Sequence, residues 1–95
     1  MQASVRRYRT RDVSALERQV EDEFVDQVKE VEGFVGYYVI DGGDGDVASV
    51  TVCENADALQ EITKLAGDWV RESLGDLVEG EPDVVAGEVR VRAEP

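Results

Sequence analysis

The sequence predicts a single α+β domain over residues 1–95, in which four strands and two helices follow the order β-α-β-β-α-β. Three observations lead to this prediction. Two segments repeat apolar residues every three or four positions, as amphipathic helices do. Four shorter segments are rich in β-branched and aromatic residues. A turn rich in glycine and aspartate joins the two middle strand segments, which predicts a hairpin.

The first half of the chain predicts a strand, a helix and the start of the hairpin. Residues 5–10 read as a short strand, after which Asp12 or Ser14 can cap a helix, with Glu17 as the capping-box partner of Ser14. Gly33 ends this helix, because glycine tolerates a positive φ. The apolar stripe of the helix consists of Val13, Leu16, Val20, Phe24, Val28 and Val31.

The second half predicts the rest of the hairpin, a second helix and a last strand. Residues 34–40 and 47–54 form the hairpin strands, and residues 41–46 form its turn. Asn55 or Asp57 caps the second helix, whose loop to the last strand contains Gly80 and Pro82. Residues 84–92 form the last strand. The apolar stripe of the second helix contains Leu59, Ile62, Ala66 and Trp69 and continues to Ser73.

The element order predicts a ferredoxin-like topology, because right-handed crossovers place both helices on one face of an antiparallel sheet. The hairpin strands are apolar on both faces, although two helices can cover only one. We expect Phe34, Tyr38 and Ile40 on one face of the first hairpin strand, and Val35, Tyr37 and Val39 on the other. The second hairpin strand divides into Ala48, Val50 and Val52 against Val47, Thr51 and Cys53. The uncovered face predicts a homodimer with sheets packed face to face; the alternative is a semi-polar open sheet.

Composition excludes several classes of partner. The net charge is −12, from 22 acidic and 10 basic residues, which argues against binding to nucleic acid or anionic membrane. No apolar run is long enough to span a bilayer, and the N-terminus has no apolar signal core. A lone Cys53 suggests a reducing, cytoplasmic location. Abundant acid with only Lys29 and Lys64 resembles halophilic proteins; an ordinary soluble acidic surface is the alternative.

Motifs for metal binding or nucleophilic catalysis are not found. The chain has no histidine, and Cys53 has no second thiol with which to act. Asp41, Asp44 and Asp46 do not fit the spacing of a calcium-binding loop. We therefore expect no metal and no cofactor.

Several segments resemble the dimeric α/β-barrel superfamily, and within it the small proteins related to antibiotic-biosynthesis monooxygenases. They are the helix exit Val31-Glu-Gly-Phe34, the strand Gly36-Tyr-Tyr-Val39, the strand Val47-Ala-Ser-Val-Thr-Val52, and Glu54-Asn-Ala-Asp57 before a helix that bears Trp69. This resemblance implies a barrel at the dimer interface and a pocket between each sheet and its helices. Catalytic members act there on small polycyclic aromatics without metal or flavin. Haem-degrading relatives need an axial histidine, which this chain lacks.

The candidate pocket residues are Tyr38 and Trp69 as walls, with Asn55 or an arginine such as Arg7 to orient a ligand. Trp69 could equally be a core residue, and either Tyr37 or Tyr38 could face the helices. The arginines near the first and last strands could hold an anionic ligand or pair with nearby acids; they are Arg6, Arg7, Arg9, Arg11, Arg90 and Arg92.

Two functions remain open at this point. One is a small-ligand-binding homodimer without catalytic activity. The other is a cofactor-independent monooxygenase acting on a small aromatic or phenolic substrate. A solvent-connected cavity of roughly 300 Å³ or more with Tyr38 and Trp69 on its wall would favour the enzyme. A filled interior would argue against the oxygenase, and dimer formation would then be the function to explain.

Overall fold

The computed structural model describes all 95 residues as one four-stranded antiparallel sheet with helices on one face. The strands are β1 (Gln2–Thr10), β2 (Phe34–Asp41), β3 (Asp46–Cys53) and β4 (Val78–Glu88), in the spatial order β2-β3-β1-β4. The first helical segment consists of α1 (Val13–Gln19), a π-helical turn (Val20–Phe24) and α2 (Val25–Lys29), and the second is α3 (Ala56–Ser73). The predicted ferredoxin-like fold is therefore confirmed. None of the helices combines the length and the apolar character needed to cross a membrane.

The first helical segment keeps its apolar stripe on the sheet because it contains a π-helical turn. Leu16, Val20, Phe24 and Val28 are all buried, and each lies four residues after the one before. At 3.6 residues per turn, every such step carries a side chain about 40° further around an α-helix. A π turn holds more residues per turn, so each residue in it advances by a smaller angle and the accumulated rotation is offset. The apolar stripe therefore continues to face the strands.

The caps of the helices are set by side chains that the sequence offers. The Asp12 carboxylate accepts a hydrogen bond from the Ala15 backbone N–H at 3.0 Å, so Asp12 rather than Ser14 is the first cap. The Asn55 side-chain oxygen accepts from the Ala58 N–H at 2.9 Å and starts α3. Such caps satisfy backbone donors that a helix start leaves free.

The core lies between the sheet and the helices. Phe24, Ile62, Val28 and Cys53 are its most completely buried large side chains. Trp69 is 8% exposed, and its ring stacks on Phe24 with centroids 5.0 Å apart and 27° between the ring planes. The interpretation of Trp69 as a core residue is thus the one that its surroundings favour.

The face assignment of one β2 residue was wrong because the strand has a bulge. Phe34 pairs with Cys53 while Gly36 pairs with Val52, so Val35 is an extra residue. The bulge turns the Phe34 side chain to the helix face, where it packs against the core, instead of placing it beside Tyr38. Because alternation has a period of two, one extra residue reverses every side chain on one side of it.

The bounds of the last strand also differ from the prediction. β4 begins at Val78 and ends at Glu88, so Gly80 and Pro82 lie inside it and Arg90 lies beyond it. Proline is tolerated there because β4 is an edge strand that need not donate a hydrogen bond on its open side. β1 in turn starts at Gln2, since its first residues pair with both β3 and β4.

Candidate functional site

The open face of the sheet carries an apolar row that crosses all four strands. Tyr38 pairs with Val50, Val50 with Val5, and Val5 with Val85. Tyr38 is 58% exposed, Val5 41% and Val85 76%, so this row contacts solvent. Ile40, two residues after Tyr38 in β2, is exposed on the same face. Apolar side chains in one continuous row are unusual on a solvated surface and mark a contact region.

An ion pair borders this apolar row. Arg7 donates from Nε to Oδ1 of Asp46 at 2.8 Å and from Nη2 to Oδ2 at 2.7 Å. The hydrogen bonds from Arg7 lower the pKa of the Asp46 carboxyl, and those to Asp46 raise the pKa of the Arg7 guanidinium. Arg9, on the same face, donates to the Asp44 carbonyl oxygen at 2.9 Å. Arg7 is therefore engaged on the open face of the sheet.

On the helix face, β1 contributes a polar pair beneath the helices. Tyr8 is 8% exposed, and its hydroxyl oxygen accepts a hydrogen bond from Arg6 Nε at 2.8 Å. The Arg6 guanidinium carbon lies 5.9 Å from the centroid of the Tyr8 ring. Burial raises the pKa of Tyr8, and the nearby charge of Arg6 acts in the opposite direction. Arg6 forms no ion pair with any carboxylate of the chain.

Tyr37 of β2 packs on the aromatic core and lies close enough to Arg6 and Tyr8 to feel their charges. Its ring meets the Phe24 ring edge-on, with centroids 5.5 Å apart and an angle of 63°. Burial raises the pKa of Tyr37 to about 12 from 10.0, and a hydrogen bond with Ser49 acts in the opposite direction. A phenol in this position stays protonated at neutral pH and can donate a hydrogen bond.

The cavity next to Tyr37 lies between the first helical segment and β2. It has a volume of about 380 Å³ and is lined by Glu17, Val20, Glu21, Val25, Tyr37 and Val39. A second cavity of about 230 Å³ continues along the edge of β2 and shares Val25 and Tyr37. The π-helical turn contributes Val20 and Glu21, so the irregular helix shapes this opening. Such a volume suits a small organic molecule.

The four sequence-predicted pocket residues lie in separate places. Tyr38 is on the open face, where its hydroxyl bends back over Gly36, and Arg7 is on the same face in its pair with Asp46. Trp69 is in the core, where its Nε1 lies 3.5 Å from Oε1 of Glu23. Asn55 caps α3. Neither Trp69 nor Asn55 lines the cavity at Tyr37.

The sequence did not decide whether Tyr37 or Tyr38 faces the helices. It offered Arg6 only as one of six arginines and gave no role to Tyr8. Alternation places Arg6 and Tyr8 on one face of β1 and Arg7 on the other, but only the register with β3 identifies the face that meets the helices. The paired arginines bind acids of the hairpin, β4 and the C-terminal segment: Arg7 with Asp46, Arg11 with Glu79, and Arg92 with Glu94. No group of three acidic, cysteine or histidine residues is placed to hold a metal ion.

Comparison with models of protein families gives no match, and neither does comparison with curated protein sequences. Solved structures with the same fold do match along nearly the whole chain.

A monooxygenase of Streptomyces coelicolor, in complex with the ligand nanaomycin D, is 21% identical with a TM-score of 0.77, covering 99% of this chain and 91% of that one. SnoaB, a cofactor-independent oxygenase of Streptomyces nogalater, is 16% identical with a TM-score of 0.74, covering 96% of this chain and 94% of that one. A protein of unknown function from Nitrosomonas europaea is 12% identical with a TM-score of 0.77, covering 99% of this chain and 93% of that one. The chain therefore has the ferredoxin-like fold that antibiotic-biosynthesis-monooxygenase-like proteins also adopt.

Proposed function

We propose that this protein is a homodimer that binds a small aromatic molecule between its first helical segment and its sheet. The observation that carries the proposal is the contrast between the two faces of the sheet. The open face has an apolar row and a neutralising ion pair, which suit a protein partner. The helix face has a largely apolar cavity beside the partly buried phenol of Tyr37, which suits a small ligand.

A second copy of the chain is the partner that fits the open face. Packing two such faces together would remove Val5, Val85, Tyr38 and Ile40 from water. Each fully buried side chain of this kind contributes about 1.5–3 kcal/mol, which supports association of the faces. Arg7 and Asp46 cancel one another's charge, so this pair adds no net charge to the contact between two chains that each carry −12.

The oligomeric state tests this interface through a single charged substitution. Val5→Asp would place a carboxylate in the centre of the apolar row, and sedimentation equilibrium should then show a monomer where the unchanged protein is a dimer. Val84→Asp is the matched control, because Val84 is 47% exposed, compared with 41% for Val5, and lies on the helix face of the neighbouring strand. A dimer that survives Val5→Asp, or an unchanged protein that is monomeric at micromolar concentration, would refute the interface.

Within this proposal the ligand lies against Tyr37, whose ring packs on Phe24 of the aromatic core. Val20, Val25 and Val39 give the cavity an apolar surface, and Glu17 and Glu21 stand on the helix that forms its outer wall. Trp69 acts through Phe24, whose other neighbour is Tyr37. Tyr38 and Arg7 would face the partner copy, and Asn55 would hold the start of α3 in place.

Binding of a hydroxynaphthalene tests the ligand site. We expect backbone amide shifts in NMR spectra at Val20, Val25, Tyr37 and Val39 on titration. Val39→Trp should abolish them, since a large side chain would fill the cavity that Val39 lines. Val84→Trp, at an exposed valine that lies outside both the cavity and the proposed interface, should leave them in place. Shifts confined to the open face, or unaffected by Val39→Trp, would contradict the assignment.

The second candidate function is a cofactor-independent monooxygenase that acts on a phenolic aromatic. It is favoured by the fold shared with a monooxygenase and with a cofactor-independent oxygenase. Uptake of dioxygen on mixing the pure protein with a hydroxynaphthalene, without added metal or flavin, would support it. Ligand binding without dioxygen uptake would leave the protein as a binding homodimer.

We further propose a cytoplasmic, salt-adapted protein. The support is the excess of 22 acidic over 10 basic residues, only two of which are lysine. Screening by salt would weaken the repulsion among these acids, so the melting temperature should rise between 0.1 M and 2 M KCl. Equal melting temperatures at both concentrations would mean that the acidic surface serves solubility and not stability in concentrated salt.

A further inference from the structure

A second concave surface lies at the opposite edge of the sheet, between α3 and β4. Helix α3 leaves the helix face of β4 uncovered, so that Val84 is 47% exposed and Ala86 is exposed as well. The result is a trough of about 430 Å³. Its main lining residues are Gln2, Leu59, Gln60, Thr63, Lys64 and Ala86, and we call it the α3–β4 trough.

One stripe of α3 forms the wall of this trough. Ala56, Leu59, Gln60, Thr63 and Lys64 follow the spacing of one helix face. Leu59 is 6% exposed and gives the wall an apolar base. Ala86 and Ala56 are small, so the space between helix and strand stays open instead of being filled by side chains.

The charge of the trough differs from that of the chain. None of its lining residues is acidic, although 22 of the 95 residues are Asp or Glu. Lys64 is one of two lysines, and all four ion pairs of the protein use arginine, so no carboxylate oxygen lies within 4.0 Å of its ammonium group. Side-chain donors of Gln2, Gln60 and Thr63 surround the same opening. An apolar trough with an uncompensated cation fits a ligand that has an apolar body and a negative group.

We infer that the α3–β4 trough is a binding site for a small amphipathic organic anion, such as an aromatic carboxylate or sulfonate. The apolar body would lie on Leu59 and Ala86, and the anionic group would lie at Lys64. The trough is separate from the cavity at Tyr37, since β4 and β2 are at opposite edges of the sheet. It also lies on the helix side, so a dimer formed through the open face would leave it accessible.

The probe for this site is 8-anilino-1-naphthalenesulfonate, followed by its fluorescence and by NMR. We expect amide shifts centred on Leu59, Thr63 and Ala86. Ala86→Leu would fill the floor of the trough and should weaken binding at least tenfold, whereas Val84→Leu, on the same face of β4 but outside the trough, should not. Both positions are exposed, so neither substitution should disturb folding.

The charge of Lys64 is tested separately. Lys64→Gln should weaken binding of the sulfonate about fivefold, the effect expected for an exposed ion pair. Lys29→Gln is the matched control, because Lys29 is the other lysine and lines the cavity along β2. N-phenyl-1-naphthylamine, which lacks the sulfonate, should bind more weakly and should not respond to Lys64→Gln. Shifts at Tyr37 or on the open face, or binding indifferent to Ala86→Leu, would overturn the inference without affecting the proposed function.

Discussion

The Tyr37 phenol should make the protein less stable as pH rises from 10 to 12. In the unfolded chain the phenol loses its proton near pH 10, whereas in the folded protein burial raises its pKa to about 12. Between these two pH values the unfolded state binds fewer protons than the folded state. The free energy of unfolding therefore falls as pH rises, by up to about 1.4 kcal/mol per pH unit, and the full contribution is present below pH 10.

Over the whole interval the loss amounts to roughly 2–3 kcal/mol. Guanidinium chloride unfolding, followed by circular dichroism at pH 9, 10, 11 and 12 in constant KCl, measures it. Tyr37→Phe removes the ionisable hydroxyl, so the free energy of unfolding of this variant should fall less than that of the unchanged protein over the same range. Parallel pH curves for the two proteins would refute the reasoning, because they would mean that Tyr37 ionises as easily in the folded protein as in the unfolded chain.

Three further substitutions test individual packing and backbone features by the same unfolding measurement. Phe24→Ala removes a ring that is 1% exposed and should cost about 3–5 kcal/mol, with a smaller loss for Phe24→Leu; equal losses would argue against the cavity as the cause. Asn55→Ala should cost about 0.5–2 kcal/mol through loss of the α3 cap, and Asn55→Asp should retain most of the stability. Gly45→Ala should cost more than Gly43→Ala, because both have positive φ but only a Cβ at Gly45 would clash with the Thr10 carbonyl oxygen; similar losses would exclude that clash.

Features encoded by neighbouring residues could be predicted from the sequence. The helix stripe that contains Phe24 and the one that contains Trp69 both face the core, since the spacing of apolar residues is a local property. Asn55 caps its helix for the same reason. Pairing of the second hairpin strand with both neighbours leaves its predicted faces intact, with Val47 and Cys53 buried.

Features that depend on a distant strand could not be predicted. The bulge at Val35 is defined by the register between β2 and β3, and Gly36 beside it indicates an irregular strand without fixing which side chains change face. Pro82 indicates a loop until its position in an edge strand is known. The site depends on the same information. Tyr37 and Tyr38 are equivalent by alternation, and only the packing of Phe24 shows that Tyr37 meets the helices.

The π-helical turn gives the first helical segment one residue more than a regular α-helix would need to keep the same face on the strands at both of its ends. If Val20–Phe24 rewound into an α-helix without a change of length, everything after it would rotate by about 100° around the helix axis. Val28 and Val31, now buried, would then turn away from the strands. Removing one residue between Val20 and Phe24 would cancel this rotation, because a regular α-helix would then return both residues to the core. A chain shortened by one residue here should therefore keep its core and gain hydrogen-bond regularity, and the change would fall on the cavity that Val20 and Glu21 line.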